Sequence, residues 1–422
     1  MPTDNNFAHA KYSRSNPGDR VSYDTFESDL SPESQAWQDG MAAAGANMAK
    51  AGVRAIVCVY GSWIGSDLFG AGRLDEAGGL KRGYSRGIPG LESLLSLLRP
   101  TSYQLPFQNP QLSPPFSNED TFKSRIDDLV GETGNITANY INTLENGLNQ
   151  GTSASLPCLR YLWSSRHHHI GRVESTLDFL NFLAALSKQF SLDSGHRLLV
   201  LGFGHAGHVL TLLSNFLASG ESSSREMLID TLESYYAQDQ DHTPIDAIER
   251  LRQVISHLNA DDAHHPVLDI VTFGTPVRYG WDTSGIHHLL HIVNHRPIRS
   301  DGKHWLAKMD LPQVTYEMPA LLGGDYVQQL AVAGTDTVPS ATHEQEVNAT
   351  LQELLEPYDG FERWLECARR VTRCANDGHC VLIDYQHTHA AIPSSHLFGH
   401  ACYTTTQAML DQTVKIVEHL YS

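Results

Sequence analysis

Short apolar runs rich in β-branched residues recur along this chain and set its architecture. They are Val53-Arg-Ala-Ile-Val-Cys-Val-Tyr60, Leu159-Arg-Tyr-Leu-Trp163, Arg197-Leu-Leu-Val-Leu-Gly-Phe203, Val267-Leu-Asp-Ile-Val-Thr-Phe273, Leu289-Leu-His-Ile-Val293 and Cys380-Val-Leu-Ile-Asp384. Runs of this length, closed by glycine, proline or polar turns, predict strands buried on both faces. Tyr326-Val-Gln-Gln-Leu-Ala-Val332 reads as a further strand. Between the runs the period lengthens to that of helices. Residues 33–51 are alanine-rich and stop at Gly52, and Glu174–Gln189 places Leu177, Leu180, Leu183 and Leu186 on one stripe. Further helices are expected near 119–131, 136–148, 244–258, 345–372 and 405–420, and one directly after Phe203. Strands alternating with helices predict an α/β fold: a mostly parallel sheet with helices on both faces.

Residues 1–30 are polar and turn-rich and read as a flexible N-terminal arm. Residues 31–422 read as a single domain carrying two long inserts, at about 66–155 and 219–264. Irregular segments that long are usually functional or disordered, so the first insert is a candidate lid.

Composition removes several function classes. The chain has 422 residues, 41% hydrophobic and 18% charged, as in ordinary globular proteins. Its formal charge of −18 disfavours nucleic acid and anionic membrane surfaces. No apolar run approaches the roughly 18 residues of a membrane span. The start, Met-Pro-Thr-Asp-Asn-Asn, has no basic n-region or apolar core, which makes a cytoplasmic location the expectation. A protein partner stays open.

Cysteine and histidine are present without metal-site spacing. Six cysteines in so long a chain are no disulfide framework. Cys367, Cys374, His379 and Cys380 cluster, but not as paired C-x-x-C, and Cys380 opens a strand. His167, His168 and His169 are adjacent and so point in different directions. Neither group is read as a metal site, and no cofactor is expected. The sequons at Asn135 and Asn348 lack a secretory context.

The most informative segment is Leu201-Gly-Phe-Gly-His-Ala-Gly207, a strand running through a glycine turn into a helix. This is the layout of the nucleophile elbow of α/β-hydrolases, G-x-S-x-G, in which a sharp turn holds a reactive serine above the sheet. Gly202 and Ala206 are the required small residues, and Gly207 permits close helix–strand packing. The nucleophile position itself is Gly204. A second register, Gly204-His205-Ala206-Gly207-His208, makes Ala206 the replaced serine but puts bulky His208 where a small residue belongs. Either way the hydroxyl is missing. A plain glycine-rich anion-binding turn at Gly202–Gly207 is the competing reading, although neither a P-loop lysine nor a complete G-x-G-x-x-G is present.

The triad order of that fold is nucleophile, acid, histidine. Phe398-Gly-His400-Ala lies between the last strand and the last helix, where the fold presents its base, in a chain of 23 histidines. Asp336, in Gly334-Thr-Asp-Thr-Val-Pro339, follows an expected strand end and is the candidate acid, with Asp384 its rival. The oxyanion donors would be the N–H of His205 and an N–H near Ser62 or Trp63, after the early strand.

Taken in order, Val59-Tyr-Gly-Ser-Trp63, Trp163-Ser-Ser, the elbow, Val271-Thr-Phe-Gly-Thr-Pro276, Ala333-Gly-Thr-Asp336 and Phe398-Gly-His-Ala401 resemble a bacterial α/β-hydrolase of the lipase/esterase type over about residues 53–420. The resemblance implies a carboxylic-ester or lipid-like substrate and no metal or organic cofactor. Gly204 departs from it. Loss of the serine from a triad costs on the order of 10⁶ in turnover. The resemblance therefore implies either a disarmed member that keeps a pocket for a small acyl or lipid-like ligand, or a serine-independent hydrolase in which His400 activates water.

Overall fold

A computed structural model describes residues 20–26, 30–61, 131–218 (without 133, 152–154 and 165), 223–237, 266–295, 324–330, 342–355, 374–386 (without 376) and 393–422, with isolated positions 124, 127, 128, 248, 249, 252, 253 and 339. Of the expected helix at 244–258 only 248, 249, 252 and 253 are described, all four helical; most of the one at 119–131 and the candidate lid up to residue 123 lie outside these residues.

The strands are β1 (Val21–Phe26), β2 (Val53–Val59), β3 (Cys158–Tyr161), β4 (Arg197–Phe203), β5 (Val267–Phe273), β6 (His288–Asn294) and β7 (His379–Tyr385). They form one 7-stranded sheet in the order β1-β7-β6-β5-β4-β2-β3. Every pairing is parallel. The helices are α1 (Gln35–Lys50), α2 (Ala138–Leu148), α3 (His169–Gln189), α4 (Ala206–Phe216), α5 (Ser223–Tyr236), α6 (Tyr326–Leu330), α7 (Thr342–Leu355) and α8 (Thr406–Leu420).

Strand periodicity divides the core in two. Leu198 and Val200 of β4 join one apolar cluster with Val57, Ile270, and residues of α3 and α4 such as Leu177, Val209 and Leu213. Leu199, Leu201 and Phe203 face the other cluster, with Trp37 and Met41 of α1, Leu144 of α2, and Met409 and Ile416 of α8. Each fully buried leucine contributes about 1.5–3 kcal/mol, so the central strands are held from both sides. The carboxyl ends of parallel strands all point to one edge, where open sheets of this kind bind ligands.

Three expectations need correction. The N-terminal segment includes edge strand β1, which pairs with β7 from Val21–Cys380 to Phe26–Tyr385. Its residues are mostly half-exposed, so it lacks the apolar run that marked the inner strands. Within the 219–264 insert, α5 buries Leu228, Ile229 and Leu232 completely and belongs to the core. Tyr326–Leu330 is the short helix α6, not a strand; the local cap described below prevails over its mixed apolar pattern.

Candidate functional site

Beyond Phe203 the chain reverses at Gly204, whose φ of 52° lies in the left-handed region that glycine adopts without penalty. The turn is fixed from outside and within. Gly204 N–H donates to Phe273 O at 2.8 Å, and Thr275 Oγ1 donates to Gly204 O at 2.9 Å. Gly207 N–H and His208 N–H then fold back onto Gly204 O and His205 O as α4 begins. A Cβ at Gly202 would strike Leu210 of α4, and one at Gly207 would strike Thr275. Ala206 is the first residue of α4, which leaves Gly204 as the tip of the turn.

Opposite this tip stands His400, between the kinked stretch Pro393–Gly399 and the single-turn helix Ala401–Thr404. It is delivered by an unusual backbone: Leu397, Phe398 and Gly399 have φ of 47°, 54° and 86°. Left-handed conformations are uncommon for bulky residues and cluster where a surrounding structure over-determines them. Asn294, the last residue of β6, supplies part of that hold. Its amide Nδ2 donates to Gly399 O at 2.8 Å, and its O accepts from Asp325 N–H at 2.9 Å.

Asp325 is completely buried, and its Oδ2 lies 2.8 Å from His400 Nδ1. Tyr403 OH donates to the same oxygen at 2.9 Å and accepts from Asn294 N–H at 2.6 Å. Asp325 Oδ1 accepts from Gln328 N–H at 2.8 Å, capping α6. A carboxylate can only accept, so His400 Nδ1 carries the proton toward it and, in the neutral ring, Nε2 presents a lone pair. Burial, followed by the Asp325 charge, pushes the Tyr403 phenol well above its ordinary range, which keeps it a neutral donor. Nε2 points at Gly204: a Cβ there would be 2.7 Å from it.

The carboxylate that meets His400 Nδ1 is neither of the two expected aspartates. Asp384 is buried inside β7, in register with Thr25 of β1; the carboxylate hydrogen-bonded to His400 belongs to Asp325. Asp336, Ser62 and Trp63 lie outside the described residues. Asp325, Asn294 and Tyr403 were missed. One signal was present: Asp325-Tyr-Val-Gln328 after two glycines is a capping-box pattern, which marks a helix start rather than a strand.

His205 opens α4 as its N-cap residue. Its ring is buried, 5.0 Å from His167 and 5.3 Å from His208 by ring centroids. Among the described residues neither of its ring nitrogens has a hydrogen-bond partner. Burial first, then neighbouring His167, His208 and His400, pushes it well below the ordinary histidine range, so it is neutral. His208 is depressed likewise, chiefly by burial, and its Nε2 lies 3.0 Å from Pro276 O.

The groups that invite a metal reading separate in space. His168 caps α3 by accepting from Gly171 N–H at 3.0 Å, His169 Nδ1 lies 3.0 Å from Tyr279 OH, and His167 packs on Trp163. Cys374 and Cys380 share an apolar cluster, whereas His379 faces Ser22 and stacks on His419. Cys367 is outside the described residues. Among the described residues, Asp269, His287 and His288 do bring ligand atoms together, at the opposite edge of the sheet. A cation already stands there: Arg197 Nη1 bonds both Asp269 oxygens at 3.2 Å, and Tyr421 OH donates to Oδ2 at 2.9 Å.

Comparison with protein-family models, with curated proteins and with solved structures finds no match. The functional reading therefore stands on the site. No helix among the described residues is long and apolar enough to cross a membrane.

Proposed function

We propose that this chain is an α/β-hydrolase-type protein that hydrolyses a carboxylic-ester or lipid-like substrate without a serine nucleophile. The observation that carries this reading is the Asp325–His400 pair, joined at 2.8 Å and aimed at Gly204. Chain order supports it as well. Gly204 follows β4, Asp325 lies beyond β6 and His400 follows β7, which is the nucleophile–acid–histidine order of that fold.

The parts take definite roles. Asp325 fixes the ring and its tautomer, and Nε2 of His400 is the base at the vacated position. The N–H of His205, at the positive end of α4, is a donor for the developing oxyanion. Ser62 and Trp63 are proposed to supply the second donor, and the part of the 66–155 insert that precedes the core helix α2 the lid. A glycine nucleophile position makes the reaction slow. A base contributes typically 10²–10⁴-fold, against the ~10⁶ lost with a serine.

Gly204 also favours a second reading, in which the pocket binds an acyl ligand without turning it over. Hydrolysis of short- and medium-chain p-nitrophenyl esters separates the two. The expected result is slow turnover by the unmodified chain, unaffected by a serine-directed fluorophosphonate. Binding of such esters without release of p-nitrophenol favours the second reading, and inhibition by the fluorophosphonate overturns the serine-free mechanism. The anion-binding alternative is disfavoured because Gly207 and His208 N–H are committed to carbonyls of the turn itself.

A further inference from the structure

We infer that Thr404 is a positioning residue that latches His400 Nε2 against Gly204, and that the base acts only after the loop Leu397–Thr404 releases; this deepens, and rests on, the hydrolase reading above. As it stands the ring closes the site. A Cβ on Gly204 would lie 2.7 Å from Nε2 and 3.2 Å from Cε1. Adding a Cα–Cβ bond of ~1.5 Å puts Nε2 within ~4.2 Å of the Gly204 Cα. A water or substrate atom in line between them needs about 3.5 Å to the carbon and about 2.8 Å to the nitrogen. Nε2 must therefore withdraw by roughly 2 Å before anything enters along that line. The His400 side chain is only 11% exposed, as a closed site requires.

The loop that carries the ring is set to move. Leu397 and Phe398 have φ of 47° and 54°, a conformation that bulky residues keep only where neighbours enforce it. Gly134 is one such neighbour. A Cβ there would lie 2.7 Å from Leu397 Cδ1, so the leucine side chain seats on the bare glycine. Thr404, buried at the far end of the loop, ties the same segment down. Its Oγ1 accepts from Gly134 N–H at 3.0 Å and donates to Glu132 O at 2.8 Å, nearer than Ala401 O at 3.2 Å.

The other half of the latch is fixed. Asp127 accepts from Arg160 Nη1 and Nη2 at 2.9 and 2.8 Å, from Asn135 Nδ2 at 3.2 Å and from Ala138 N–H at 2.9 Å. One carboxylate thus binds the start of α2, and the residue next to Gly134, to β3. Against that post the moving part is the loop itself. The Nδ1 bond to Asp325 is its pivot, because Asp325 is anchored on α6 and on Asn294 of β6 rather than on the latch. Removing the Thr404 hydroxyl cuts both bonds of the latch and leaves that pivot in place.

The test is labelling by diethyl pyrocarbonate, which needs room at an imidazole nitrogen, so that its rate follows the open fraction. The unmodified chain is compared with Thr404→Val and Thr404→Ser, and fragment masses locate the label on His400. Exposed His287 is the fast reference, and buried His291, unlabelled throughout, separates release from unfolding. The expected result is slow labelling of His400 in the unmodified chain and about tenfold faster labelling in Thr404→Val, with two hydrogen bonds gone. Thr404→Ser, which keeps the hydroxyl, returns the slow rate. Gly134→Ala, whose Cβ displaces Leu397 and leaves Thr404 in place, is a second variant expected to speed labelling. His400 labelled as fast as His287 in the unmodified chain, or a rate unchanged in Thr404→Val, overturns the inference. Ester turnover is read beside it and is expected to rise in Thr404→Val with the labelling rate. Faster labelling without turnover in either protein supports the latch and contradicts the hydrolase reading. Turnover that needs His400 while neither rate responds to Thr404→Val overturns the latch and leaves that reading intact.

Discussion

Tyr403 and His400 hydrogen-bond to one and the same oxygen of Asp325, at 2.9 and 2.8 Å. The tyrosine also receives the N–H of Asn294 at 2.6 Å. One hydroxyl thus links the end of β6, the cap of α6 and the loop that carries His400.

Tyr403→Phe removes that link and leaves the buried Asn294 N–H without its acceptor. A buried donor left unsatisfied costs about 1–3 kcal/mol. Denaturant unfolding is expected to show a loss in that range, and ester turnover a decrease. An unchanged midpoint would mean that the hydroxyl is dispensable.

Asp325→Asn preserves shape but not the charge or the tautomer it imposes. The equivalent change in a serine protease triad lowers kcat about 10⁴-fold. A fall of two or more orders of magnitude in ester turnover is expected, with near-normal thermal unfolding. Full activity in this variant would remove Asp325 as the acid.

Gly204→Ser does not restore a conventional triad. Its Cβ would be 2.7 Å from Nε2, so the ring must leave its position, and a side chain at a φ of 52° adds about 1–2 kcal/mol of strain. Gly204→Ala carries the same burden without a hydroxyl. Both variants are expected to unfold at lower denaturant than the parent and to lose its His400-dependent turnover. A Gly204→Ser protein with fast, fluorophosphonate-sensitive turnover would show that the ring yields easily.

A pH effect follows from α8. Burial pushes the Asp411 carboxyl up to about 6, with Lys415 opposing and Asp24 and Glu418 adding to the shift. The folded protein therefore holds this proton more tightly than the unfolded chain. The stabilisation is complete below pH ~4 and is lost as pH rises through about 6. Asp411→Asn is expected to stabilise the protein at pH 8 by up to about 3 kcal/mol, a gain that disappears below pH ~4. A gain equal at both pH values would contradict the assignment.

The inner sheet was legible in the sequence because a strand covered on both faces leaves a continuous apolar run. Leu198 to Leu201 bury alternate side chains into opposite clusters. Edge strand β1 carries Ser22, Asp24 and Thr25 among its residues, so it left no such run. At the site, Gly204 and His400 could be read locally, one from a strand–turn–helix signature and the other from its place before the last helix. Asp325 could not be reached that way. Its partner lies 75 positions away, and its local signal was a helix cap in a stretch read by strand periodicity. Asn294 and Tyr403 act through contacts made only when β6 and the last loop meet.

The most direct measurement is the turnover of a short-chain p-nitrophenyl ester by the unmodified chain beside His400→Ala at equal concentration. Slow release of p-nitrophenol by the unmodified chain, falling to the buffer rate in His400→Ala, is the expected result. Equal rates in the two proteins would contradict catalysis by His400 at the vacated elbow.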